Sequence, residues 1–335
     1  MESWGYLSGL LRSEKVHALT NNDFISFADS VNADSLLKSL EDTVYGSLFQ
    51  GRVLKEFTVI FDEYYQQKFQ NIKEIIPCPI IMQVHSLKVD LNNLKICYKA
   101  KLSQKKISWE QLSEEGTIAP ERMYAIVEYE LWNELPTPIS KAVIELADGA
   151  KDTVRRVDFL LDRAYYTYRL QILQNACYFE TDFYKGLVDF YKKEIDCENI
   201  KNIFRAKKMN LEKDQIAEII IVGGYISAEF FIDYANISGE EMADLVKDSA
   251  YGEVLSKGIN DWITSKSCTI LEKQIDEYLL DLTSNFSYLC SGPAIIEESL
   301  RSMQIEIKNL KLIIIGKINN MSTEEIKERV RNVRV

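Results

Sequence analysis

Asp158 and Asp162 stand four residues apart, so a helix would present both carboxylates on one face. Paired carboxylates can hold magnesium or move protons. Arg155, Arg156 and Arg163 lie within reach, and these neighbours favour ion pairing over catalysis. The stretch Gly46-Ser-Leu-Phe-Gln-Gly51-Arg52 begins like a phosphate-binding loop. It lacks the Lys and Ser/Thr that would reach phosphate and magnesium, and it reads as a coincidence within a helix. No nucleophile elbow and no paired-histidine metal motif occurs. The two histidines, His17 and His85, have no Cys or carboxylate motif beside them and read as structural. The six cysteines are scattered, without a Cys-x-x-Cys pair, and read as reduced structural thiols. Cys197 occupies an apolar position and should be buried. The expected site inventory is therefore no catalytic, cofactor-binding or metal-binding residue, and no cofactor.

The elements around these residues should be helices. The chain has 335 residues, 46% hydrophobic, with only 14 Gly and 6 Pro. A sandwich or barrel needs a turn residue every ~8–12 residues, more than these can supply. The net charge of −11 disfavours double-stranded nucleic acid as a partner. No apolar run approaches the ~20 residues of a membrane span, and the start lacks the features of a signal peptide. With the reduced thiols, these points read as a cytosolic protein that does not itself cross a bilayer but could sit on something that does.

A long-period repeat organises the helices. Val89-Asp-Leu-Asn-Asn-Leu-Lys-Ile-Cys-Tyr-Lys-Ala-Lys101 aligns without gaps with Ile195-Asp-Cys-Glu-Asn-Ile-Lys-Asn-Ile-Phe-Arg-Ala-Lys207. Both align with Ile305-Glu-Ile-Lys-Asn-Leu-Lys-Leu-Ile-Ile-Ile-Gly-Lys317. Each frame carries an acid, then Asn, then Lys two and eight residues after the Asn. Asn93, Asn199 and Asn309 are 106 and 110 residues apart, a domain-sized period. Asp42-Thr-Val-Tyr-Gly46 recurs as Asp248-Ser-Ala-Tyr-Gly252, and Asp62, Asp158 and Asp276 begin similar amphipathic stretches. The spacing predicts capping boxes at Ser108–Gln111, Ser238–Glu241 and Ser322–Glu325, a helix end at Gly223-Gly224, and proline breaks at Pro77, Pro79, Pro120, Pro136, Pro138 and Pro293. The recurring Lys101, Lys207 and Lys317, with Lys95, Lys201 and Lys311, either pack helices or offer cations to an acidic partner. The expected architecture is all-α: three similar helical domains with an internal pseudo-threefold repeat. Their bounds are 1–88 with 305–335 closing, 89–194 and 195–304.

The frame at 195–208, Ile221-Val-Gly-Gly-Tyr-Ile226, Val157–Tyr166, and Glu306–Lys317 with Met321-Ser-Thr-Glu-Glu-Ile-Lys-Glu-Arg329 resemble the C subunit of rotary V/A-type ATPases, the counterpart of the d subunit in the vacuolar enzyme. The resemblance spans essentially the whole chain; the first frame departs from it, with Tyr98-Lys-Ala-Lys-Leu102 for Phe-Arg-Ala-Lys-Lys. It implies a funnel-like, non-catalytic central-stalk protein on the cytoplasmic face of a membrane-embedded proteolipid ring. Its partners would be that ring and the central axle subunits of D and F type, with no nucleic acid, and the isolated chain would be a monomer. Lys101, Arg205, Lys207 and Lys317 are the expected partner-binding residues. The alternatives are a helical scaffold unrelated to rotary motors, or a metal-dependent enzyme using Asp158 and Asp162.

Overall fold

The structure is a computed structural model that describes residues 2–75, 78–147, 154–179 and 181–334. Pro77 and the side chain of Arg155 lie outside the described residues. Every regular element among the described residues is helical. The chain divides into two compact units, residues 1–78 with 246–335, and residues 79–245.

The 79–245 unit contains α5 (Pro79–Leu102), α6 (Pro120–Glu128), α7 (Thr137–Ala147), α8 (Val154–Phe179), α9 (Thr181–Lys208), α10 (Lys213–Ile219) and α11 (Ala228–Asp233), and ends within α12 (Gly239–Lys247). Helix α8 packs against α5, α7 and α9. Leu91, Leu94, Met123, Ile126, Val143, Leu146, Val157, Leu160 and Leu161 fill the core around α5 and α8. In α9 the consecutive residues Glu194, Ile195, Asp196 and Cys197 are all buried. Four successive residues cover the full circumference of a helix, so this segment has no solvent face. Every polar group on it must then find a partner inside the protein. Burial also pushes the Cys197 thiol up, away from reactivity.

The other unit contains α1 (Glu2–Lys15), α2 (Asn21–Asp29), α3 (Ala33–Leu40), α4 (Phe57–Ile75), α13 (Gly252–Ser265), α14 (Thr269–Ser284), α15 (Ala294–Ile318) and α16 (Thr323–Arg329), these labels counting the α-helices of both units in chain order. Helix α15 packs against α2, α3, α4, α14 and α16. Phe24, Phe27, Leu36, Leu40 and Phe61 meet Leu310, Ile313, Ile314 and Ile326 in its core. The Asp42–Gly46 and Asp248–Gly252 stretches form the same turn. Thr43 Oγ1 donates to Leu40 O (2.8 Å) and accepts from Tyr45 N (3.2 Å). Ser249 Oγ does the same with Val246 O (2.6 Å) and Tyr251 N (3.2 Å). Tyr45 then meets Tyr64 edge to face, as Tyr251 meets Tyr278.

Helix starts follow the sequence with two corrections. Ser238 and Ser322 form reciprocal capping boxes with Glu241 and Glu325. Ser108 does not: only one 3-10 turn, Trp109–Gln111, follows it, too short to need a side-chain cap. Gly223-Gly224 is not a helix end either, because α10 stops at Ile219. The two glycines let the following loop press on α9. A Cβ on Gly224 would collide with Asp196 Oδ1, and one on Gly116 with Asp90 Oδ1. Gly224→Ala is expected to destabilise the 79–245 unit by about 2–3 kcal/mol, since Asp196 must abandon its backbone partners. A denaturation midpoint equal to the wild type would contradict this. Prolines open helices: Pro79 and Pro120 are first residues of α5 and α6, and Pro293 precedes α15.

Candidate functional site

The three repeat frames fall in the buried stretches of α5, α9 and α15, and each Asn performs the same task. Asn93 Nδ2 donates to Ser113 O (2.8 Å) while its Oδ1 accepts from Ser113 N (3.0 Å). Asn199 binds both backbone groups of Ile221 at 2.8 Å. Asn309 binds both backbone groups of Arg331 at 2.9 Å. The side-chain amide thus acts as a strand would, clamping one residue of the returning chain at two points.

The acid three residues earlier fixes the segment beyond. Asp90 accepts from Ile118 N (3.0 Å) and Thr117 Oγ1 (2.5 Å). Asp196 accepts from Tyr225 N and Ile226 N, both at 3.0 Å. Ile118 and Ile226 each lie two residues before a helix, α6 and α11. In the third frame Glu306 accepts from Leu19 N (3.4 Å), and Leu19 lies two residues before α2. Residues 287 positions back along the chain therefore complete this frame. Asn21 joins the two segments, donating to Val333 O (3.2 Å) and accepting from Val333 N (2.7 Å). Lys327 adds an ion pair to Asp29 (2.6 Å). Tyr45 OH donates to the same Glu306 oxygen at 2.8 Å.

The repeated lysines brace the helices that the acids position. Lys101 Nζ donates to Val127 O (2.9 Å) and Glu128 O (3.3 Å), at the end of α6, and pairs with Glu130 (2.9 Å). Lys207 Nζ donates to Ala235 O and Ile237 O, just past α11. A cation on the open carbonyls at a helix C-terminus is favoured by the helix dipole. Burial lowers the Lys207 pKa, with Glu241 opposing that shift. Lys317 is half-buried at the end of α15, and Arg205 is exposed. The structure therefore brings Lys101 and Lys207 onto equivalent internal contacts, each within its own frame. Lys95 reaches Asp162 (2.7 Å), Lys201 reaches Glu198 (2.5 Å) and Lys311 reaches Asp62 (2.7 Å).

Asp158 and Asp162 are paired, and among the described side chains their partners are lysines of a neighbouring helix. Lys99 binds Asp158 (2.6 Å) and Lys95 binds Asp162, both from α5. Arg156 turns to Glu218 (3.1 Å) and Arg163 to Glu145 (2.7 Å). Side chains four apart on α8 share a face, and that face is turned toward α5. Two features were not visible in the sequence. One is the buried ion pair of Arg169 with Glu194, in which the guanidinium lies over the rings of Tyr165, Tyr166 and Tyr191. The other is an exposed apolar pair, Val222 and Tyr225, on the loop held by Asn199 and Asp196. Tyr225 OH donates to Asp189 (2.5 Å), so this surface is fixed at three points.

No described helix is long and apolar enough to cross a membrane. The family model for the ATP synthase (C/AC39) subunit matches residues 7–329. The C subunit of the V-type sodium ATPase from Enterococcus hirae is 22% identical over 329 residues, covering 98% of each chain. The C subunit of the A-type ATP synthase from Methanocaldococcus jannaschii is 26% identical over 344 aligned positions, covering 97% of this chain and 85% of its own length. Its counterpart from Methanosphaera stadtmanae is 29% identical over 199 residues, covering 57% of this chain and 51% of its own length. The family match takes in all three clamped frames, and on it this chain belongs to the ATP synthase (C/AC39) subunit family.

Proposed function

We propose that this protein is the non-catalytic socket of a rotary V/A-type ATPase, joining the central axle to the membrane proteolipid ring. It sits on the cytoplasmic side of the membrane as a peripheral part of the central stalk. Axle subunits of D and F type enter a funnel formed by three related domains, 1–88 with 305–335, 89–194 and 195–304. Rotation then passes through the socket during ATP-driven ion transport or ATP synthesis. The isolated chain is a monomer.

The observation that carries this reading is the full-length match to the C subunits of V-type and A-type enzymes. The clamps support it physically. A rotor part has to resist shear, and two-point backbone clamps on buried helices stiffen the loops that partners would touch. Val222 and Tyr225 are apolar anchors on such a loop, and Arg205 and Lys317 supply cations for a partner's carboxylates. Lys101 and Lys207 contribute by holding helix ends in place.

Co-sedimentation with detergent-solubilised proteolipid ring, with and without axle subunits, tests the reading. Binding to the ring, strengthened by or bridging to the axle, is expected. Reversing the charge of Arg205 and Lys317 together should weaken axle binding at least several-fold at low salt, with helicity unchanged. A folded chain that binds neither component would overturn the socket role in favour of an unrelated scaffold.

A further inference from the structure

The third frame differs from the other two in its acid. In the first two the donors are shared between the two carboxylate oxygens, Ile118 N and Thr117 Oγ1 on Asp90, and Tyr225 N and Ile226 N on Asp196. Glu306 has one N–H at 3.4 Å and a phenol, both on the same oxygen, Oε2. The residue is 6% exposed and borders a cavity of about 260 Å³. Leu11, Glu14, Lys15, His17, Tyr45 and Tyr64 are among the walls. This frame is also the one whose acid-bound segment comes from 287 residues away, so it can open without stretching the chain nearby.

We propose that Glu306, with Tyr45 OH and Leu19 N–H, forms a proton-operated latch that holds the 19–29 segment on α15. Protonation shuts the latch and ionisation loosens it. A neutral carboxyl keeps the carbonyl oxygen that accepts from Leu19 and Tyr45, and needs no countercharge. An ionised one stays buried with one phenol and one N–H at 3.4 Å, both on a single oxygen, and with no paired cation among the described residues.

The surrounding charges do not relieve it. From α1 and the residues after it come Glu14, Lys15 and His17; from α4 come Tyr64 and Lys68. Lys15 is engaged by Glu298 of α15, and Lys68 by Glu14 (2.5 Å). Asp276 of α14 faces Lys308 and Arg331. Helices α2, α3 and α16 add apolar side chains, Phe24, Phe27, Leu36, Leu40 and Ile326. Burial accordingly pushes the Glu306 carboxyl up to about 7, with the Tyr45 and Leu19 hydrogen bonds opposing.

In the opened form Glu306 is hydrated and titrates at its ordinary value of 4.5. Closing takes up a proton between that value and about 7, so opening rises about tenfold per pH unit across this window and levels off above it. The device belongs to this chain and does not depend on the assembly it joins.

Hydrogen exchange of the full chain from pH 5.5 to 8 tests the latch, with rates corrected for intrinsic exchange at each pH. Protection of amides 19–29 should fall at least tenfold as pH rises to 7.5. Amides 221–226, held by Asp196 and Asn199, should keep theirs and serve as the internal reference. In Glu306→Gln the 19–29 profile should be flat and high. A flat wild-type profile, or a Glu306→Gln variant with the wild-type slope, would overturn the proposal. So would loss of the slope in His17→Gln, which would move the titration to His17. Should Glu306→Gln not fold, the wild-type comparison of the two segments decides alone.

Discussion

Asn199→Leu is expected to destabilise the 79–245 unit by about 2–5 kcal/mol, although it preserves side-chain size. The cost comes from Ile221, not from the asparagine itself. Its N–H and C=O are buried, and each would lose its partner with no route to water. The loop 221–226 should lose most of its hydrogen-exchange protection. Asn202, on the same helix, has a single long bond to Ile219 O (3.4 Å), so Asn202→Ala should cost under about 1 kcal/mol. Equal costs for the two variants would show that the amide clamp is not the source of stability. Asn199→Asp should be worse than Leu, because it sets a buried carboxylate against the Ile221 carbonyl.

A second large effect is expected at Arg169 and Glu194. Glu194→Ala should cost about 3–5 kcal/mol, since it strands a guanidinium inside the protein. Arg169 is buried, and although burial opposes its charge, Glu194 and the surrounding tyrosines hold its pKa above the ordinary arginine value. With Glu194 gone that support is lost, but a guanidinium keeps its proton even inside proteins, so Arg169 cannot escape by losing its charge. Replacing both residues, as Arg169→Met with Glu194→Leu, should recover most of the loss. Thermal unfolding of the two single variants and the double variant forms the cycle. A double variant as unstable as Glu194→Ala alone would mean that packing, and not the unpaired charge, dominates.

The frame itself was legible in the sequence, down to the acid, the asparagine and the two lysines. What they bind was not. Asn93, Asn199 and Asn309 hold Ser113, Ile221 and Arg331, three residues with nothing in common. The asparagine reads only backbone, so side-chain type leaves no trace of the contact. Lys101 and Lys207 hid their role for the same reason, because their acceptors are mostly main-chain carbonyls. Aspartates with arginines close by looked paired along one helix. Among the described side chains the pairing runs between α5 and α8, which sequence spacing cannot show. The repeat of Asp42–Gly46 at Asp248–Gly252 was visible because there the hydroxyl and the glycine are both needed, and both are side-chain identities.

The third frame sets an order on the birth of the molecule. Phe24 and Phe27 find their core partners on α15, and Leu19 meets Glu306 only after 287 further residues have been joined. At ~5–20 residues per second, the ribosome needs roughly 15–60 s to supply them. The 79–245 unit is continuous and can pack while the chain is still being made. The first three helices must wait through that interval with apolar faces uncovered, which makes them the part of the nascent chain most in need of a chaperone.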